Sequence, residues 1–229
     1  MAEKSLHSEY FFNNGLLSLS FDDGFESAHE VVAPLLEKYH VVGTFYVPSQ
    51  CIDTRKYLSS EMIHALDRNG HEIGSHTRTH ANLANITHDE VLDEVVLSKT
   101  ELLQHCTSVD TFAFPFGAYD ERSVDAIKIA NYSGACTTVL GANDRWLDKY
   151  LLQRRYVHNS TTAEEVWQWI ATAHEQNEWL ILCIHDVSTI ATQESASVDV
   201  IEEILKAAKY YLLNIVTVRN GLQQLTKKI

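Results

Sequence analysis

Short apolar runs alternate with amphipathic segments from one end of the chain to the other. Residues 16–21 are apolar apart from two serines, which reads as a strand. Ser27-Ala28-His29-Glu30 follows with capping-box spacing and predicts the start of a helix. Residues 41–47 are rich in β-branched and aromatic side chains and stop at Pro48, so a second strand is expected there. A helix is expected over 60–69, with Gly70 in the position just past its end, and a short strand over 71–75. Thr87-His88-Asp89-Glu90 is a second capping box and opens a helix to about residue 105. Residues 111–114, 132–139 and 151–157 read as strands, with a helix over 122–131 between the first two. Thr162-Ala163-Glu164-Glu165 starts another helix that ends near 176. Residues 179–184 are almost wholly apolar, as in a strand covered on both faces. A helix over 198–212 and a last strand over 214–218 complete the pattern.

Repeated strand–helix alternation implies a parallel sheet with right-handed crossovers. The number of units favours a closed or partly closed β/α barrel over an open doubly wound sheet. No GxGxxG or Walker motif supports a nucleotide-binding open sheet. No linker, repeat or low-complexity tract divides the chain, so residues 1–229 are expected to form one domain.

Composition narrows the functional classes. Hydrophobic residues make up 45% and charged residues 21%, the balance of a globular protein with a sizeable core. A formal charge of −13 argues against a nucleic-acid groove or an anionic membrane surface as partner, because both need clustered Lys and Arg. The first ten residues lack the apolar stretch of a signal peptide, and no run approaches the roughly 18 apolar residues of a membrane span. The expectation is a cytoplasmic protein, or a secreted or periplasmic one where a leader has been trimmed. Cys51, Cys106, Cys136 and Cys183 show no zinc-ribbon pairing and read as free thiols. Oligomeric state is not legible.

Twelve histidines prompt a search for a metal site. In a β/α barrel, reactive groups project from the carboxyl ends of the strands. Three expected strands end in such groups: Asp22-Asp23-Gly24, His76, and His185-Asp186. Adjacent carboxylates repel, so a buried Asp22–Asp23 pair calls for a cation or a proton. Neighbours on an extended backbone point apart, leaving one carboxylate for a metal and the other for substrate. His76-Thr77-Arg78-Thr79-His80 places imidazoles at i and i+4, on one face if the segment is helical or turn-like. One carboxylate with two imidazoles suits zinc or a similar divalent ion with positions left open. His185 on the same rim is a proton donor suited to amide cleavage near neutral pH.

These residues resemble the polysaccharide deacetylases of carbohydrate esterase family 4, the NodB-homology domain. Ser20-Phe21-Asp22-Asp23-Gly24 and His76-Thr77-Arg78-Thr79-His80 carry the resemblance, in the expected order. It implies a distorted (β/α)7 barrel and a hydrolase that removes N-acetyl, less commonly O-acetyl, groups from an acetylated carbohydrate. By resemblance Asp22 is the general base, Asp23, His76 and His80 bind one divalent ion (Zn2+, or Co2+ or Ni2+), and His185 is the general acid. The third family motif, often Arg-x-Pro-Tyr, reads Ala113-Phe114-Pro115-Phe116 here. The resemblance assigns the Phe116 backbone N–H to the oxyanion, whereas the arginine is missing. Arg154 and Arg155 are the candidates to replace it, with Arg155 favoured. Ala142-Asn143-Asp144-Arg145-Trp146 echoes a further motif, so Asp144 is expected to support His185 and Trp146 to stack on a sugar face. Cys183 stands where leucine is common. Two alternatives stay open: a related C–N hydrolase acting on a cyclic amide or formamido sugar, and an inactive carbohydrate-binding homologue.

Overall fold

The computed structural model describes Phe12 and residues 14–144, 146–188 and 195–226. The first ten residues, on which the leader reading rests, and Arg145 lie outside these. The strands are β1 (Leu16–Phe21), β2 (Thr44–Val47), β3 (Glu72–Ser75), β4 (Thr111–Ala113), β5 (Gly134–Leu140), β6 (Leu152–Tyr156), β7 (Trp179–Ile184) and β8 (Asn214–Ile215). The helices are α1 (Ala33–Lys38), α2 (Ser60–Arg68), α3 (His88–Leu102), α4 (Glu121–Ile129), α5 (Ala163–Gln176), α6 (Val198–Tyr210) and α7 (Val218–Thr226).

Strands β1 to β7 pair in parallel with their sequence neighbours, and β7 pairs back onto β1, which closes the expected (β/α)7 barrel. The distortion sits at the β1–β2 seam. Only Ser20 and Phe21, at the carboxyl end of β1, pair with β2, whereas Leu16 and Leu17 pair with the two-residue β8.

Alternation along the strands separates two cores. Leu17, Leu19, Phe21, Phe45, Ile73, Phe112, Leu180, Leu182 and Ile184 pack outward under the helices. Leu16, Tyr46, Ala113, Cys136, Leu152, Trp179 and Ile181 fill the interior. On β1 the residues of interior parity run Leu16, Ser18, Ser20, Asp22, turning from apolar to acidic toward the carboxyl rim. The Thr87 and Thr162 capping boxes form as expected, each hydroxyl accepting the N–H of the glutamate three residues on. All four cysteines are free, and burial pushes the Cys136 thiol up to about 11.

Two elements differ from expectation. Ser27 caps no helix: its backbone is already helical, and its hydroxyl donates to Asp186 at 2.6 Å. A π-helical turn, Ala28–Val32, intervenes before α1. The expected last strand over 214–218 shortens to Asn214–Ile215 and gives way to α7. The reason is tertiary. Val218 N–H donates to the Thr44 hydroxyl, and Arg219 N–H donates to the buried Glu72 carboxylate. Gly221 lets α7 close on the barrel floor, since a Cβ there would stand 2.4 Å from the Trp179 ring. Among the described residues, no helix is long and apolar enough to cross a membrane.

Candidate active site

The first strand delivers two carboxylates in different directions. Asp22 N–H donates to the Ile184 carbonyl at 2.8 Å, so Asp22 prolongs the β1–β7 ladder and its side chain enters the barrel, 3% exposed. The backbone then turns left-handed at Asp23 (φ 69°), which sends the second carboxylate to the rim.

His76 and His80 meet that second carboxylate. Their Nε2 atoms stand 3.3 and 3.1 Å from Asp23 Oδ1, and their ring centroids are 4.9 Å apart. The segment is a turn, not a helix, with left-handed Thr77 (φ 65°) and His80 (φ 61°). His76 Nδ1 lies 2.7 Å from the Ala113 carbonyl oxygen, which fixes Nδ1 as the protonated nitrogen and leaves Nε2 with a lone pair. Asp23 Oδ1 is buried yet has no hydrogen-bond partner. The ligand atoms of the three residues all lie within 4.8 Å of one another. An orphaned carboxylate oxygen facing the Nε2 atoms of two imidazoles fits a divalent ion such as zinc.

Asp22 is held differently. Arg154 grips it end-on, Nη1 to Oδ1 and Nη2 to Oδ2, both at 2.8 Å. Arg154 also donates to the Thr137 carbonyl and the Ser20 hydroxyl, and its guanidinium lies 5.9 Å from the Tyr46 ring centroid. Burial alone would raise the Asp22 carboxyl, but Arg154 and then His76 bring it below the usual range. Cys183, where the family commonly has leucine, places its thiol 3.5 Å from Asp22 Oδ2. The expectation for Arg155 is therefore corrected. Its guanidinium lies over Trp169, 5.4 Å from the ring centroid, and Arg154 is the arginine that reaches Asp22. Strand parity carried the signal: Arg154, like Leu152, has an interior position on β6.

His185 follows β7 on the same rim, and its ligand atom lies within 4.8 Å of those of Asp22 and Cys183. The Tyr156 ring meets it edge-on, with centroids 5.0 Å apart at 88°. Asp186 accepts from Ser27. The support expected from Asp144 is not there. Asn143 pairs with Trp179 at the amino end of β7, Leu147 packs on the interior floor cluster, and Asp144 Oδ1 accepts the Trp146 N–H. The turn carrying Asp144 and Trp146 thus lies at the opposite end of the barrel from His185, away from the rim where Trp146 was expected to meet a sugar. Sequence reasoning also missed the Ala113 carbonyl and the Tyr156 ring, which depend on contacts between strands.

Phe116 stands in a left-handed turn (φ 59°, ψ 7°), 66% exposed, with its ring 4.7 Å from the His80 ring. The next residue, Gly117, also has positive φ, and a Cβ there would overlap the Thr138 side chain. Gly117→Ala is expected to displace this turn and cost about 1–3 kcal/mol of stability, the range for strained backbone. A urea titration that matches the wild type would refute that.

A parallel β/α barrel bearing a carboxylate and two imidazoles at its carboxyl rim is the class of protein described so far. The chain belongs to the polysaccharide deacetylase family, whose profile matches residues 12–135. It is 27% identical over 117 residues to the peptidoglycan-N-acetylmuramic acid deacetylase PdaA of Bacillus subtilis (strain 168), covering 50% of this chain and 43% of that protein. It is 28% identical over 131 residues to a chitin deacetylase of Pestalotiopsis sp, covering 57% of this chain and 42% of that protein. The chain thus spans less than half the length of these two relatives. A solved structure, the Xyl-CE4 domain of a multidomain xylanase from the hindgut metagenome of Trinervitermes trinervoides, shares the fold with a TM-score of 0.68. That alignment is 21% identical and covers 92% of this chain and 90% of that one.

Proposed function

We propose that the chain is a metal-dependent deacetylase acting on an acetylated carbohydrate, with N-acetyl preferred over O-acetyl groups. The observation that carries this reading is the convergence on one rim of Asp23, His76 and His80 as a ligand set, with Asp22 and His185 beside it. A divalent ion held there, Zn2+ before Co2+ or Ni2+, would acidify water and polarise the acetyl carbonyl. Asp22, kept ionised by Arg154, takes the proton of the attacking water. The Phe116 backbone N–H helps hold the oxyanion. His185, packed against the Tyr156 ring, protonates the departing nitrogen, and acetate leaves. An inactive carbohydrate-binding reading drew its support from the missing motif arginine, and Arg154 on Asp22 removes that support.

The test is acetate release from chitin oligomers, peptidoglycan fragments and acetylated xylan. A chelator is expected to abolish release and added Zn2+ to restore it. Asp22→Asn is expected to lower turnover about 10²–10⁴-fold, the usual contribution of a general base, while metal still binds. Undiminished release by Asp22→Asn, or release that survives the chelator, would overturn the mechanism.

A further inference from the structure

The ligand set hangs on residues 76–80, a segment with no regular structure and two left-handed residues that carry side chains. His76 is anchored, 2% exposed and bonded to the Ala113 carbonyl oxygen. His80 is not: its side chain is 29% exposed, and its place follows from that of the turn before it. Helix α3 supplies what fixes that turn. Glu94 Oε2 accepts the consecutive backbone N–H groups of Arg78 and Thr79, both at 2.8 Å, and its Oε1 accepts the Thr79 hydroxyl at 2.7 Å. Two turns further along the same helix face, Glu101 accepts from Arg78 Nε at 2.8 Å and from the Ser49 hydroxyl at 2.6 Å. Ser49 and Gln50 also donate their backbone N–H groups to the carbonyls of Thr77 and Arg78.

We propose that Glu94 is a positioning residue for the cation site: by binding the two peptide N–H groups that precede His80, its carboxylate sets where the His80 imidazole stands relative to Asp23 and His76. This rests on the reading that those three residues hold a divalent ion. Glu94 is not one of the three grouped ligands. Its contacts go to main-chain donors next to the ligand, where a small rotation of one peptide swings the ring. A surface ion pair would lack this leverage. Supporting groups of this kind typically change metal affinity about 10–100-fold when removed.

Calorimetric titration of the metal-free chain with Zn2+, and the visible absorption of its Co2+ form, test the proposal alongside thermal melting of the metal-free proteins. Glu94→Ala is expected to weaken Zn2+ binding about 10–100-fold and to alter the Co2+ spectrum, with metal-free melting little changed. Glu94→Gln, whose remaining carbonyl oxygen still reaches both N–H groups, is expected to bind within about threefold of wild type, a small part of that supporting-group range. If Glu94→Ala does not fold, Glu94→Asp decides, since it keeps the charge and withdraws the oxygens by one methylene; weaker binding is expected. Wild-type affinity in Glu94→Ala or Glu94→Asp would overturn the clamp while leaving the metal reading intact. A wild-type chain that takes up no ion would instead overturn the metal reading, and the clamp with it.

Discussion

Arg154→Ala is expected to lower stability by about 3–5 kcal/mol, the cost of breaking a buried ion pair by removing one partner. Arg154 is 1% exposed and Asp22 3%, so solvent cannot replace the lost guanidinium. Without the guanidinium the buried carboxylate becomes easier to protonate, and a protonated Asp22 cannot serve as a base. Both losses have the same cause and are read separately: stability from the urea midpoint, activity from acetate release. Arg154→Lys is expected to fall between, because an ammonium cannot grip both Asp22 oxygens while still reaching the Thr137 carbonyl and the Ser20 hydroxyl. A combined Asp22→Asn, Arg154→Met chain is expected to be more stable than Arg154→Ala alone, since it buries no unpaired charge. If Arg154→Ala melted like the wild type, the buried pair would not be the keystone described.

His76→Ala is expected to weaken metal binding by more than about a hundredfold, beyond the range seen when only a supporting group is lost. The ring is buried and oriented from behind by the Ala113 carbonyl, so no neighbouring side chain takes over its Nε2. His80→Ala leaves that anchored imidazole in place and is expected to lose less. Titration with Zn2+ orders the two, and acetate release should vanish in both at limiting metal. Equal affinity in wild type and His76→Ala would remove His76 from the ligand set.

Much of the fold was legible because its signals are local. Thr87 and Thr162 announce their helices within four residues, and the run from Trp179 to Ile184 needs no partner to read as a buried strand. The gathering of Asp23, His76 and His80 on one rim was also legible, because Asp22-Asp23 and His76 come at strand ends and His80 stands four residues after His76. What escaped depends on contacts distant in the chain. Arg154 and Arg155 are adjacent, and choosing between them requires knowing which face of β6 is the interior. The Asp144–Trp146 turn could be placed only by the pairing of Asn143 with Trp179. Ser27 had the spacing of a cap, yet Asp186, 159 residues later, claims its hydroxyl. The helix after β8 depends on Thr44 and Glu72 as acceptors for its first N–H groups.

Asp22 and the arginine that grips it are separated by 132 residues. Synthesis proceeds from the amino end, so Asp23, His76 and His80 leave the ribosome long before Arg154 and His185 do. On the proposed mechanism, a nascent chain extending only through β5 carries every residue needed to capture a cation. It still lacks the guanidinium, the third imidazole and β7, on which the Asp22 end of β1 is laddered, so the site is complete only once the barrel closes.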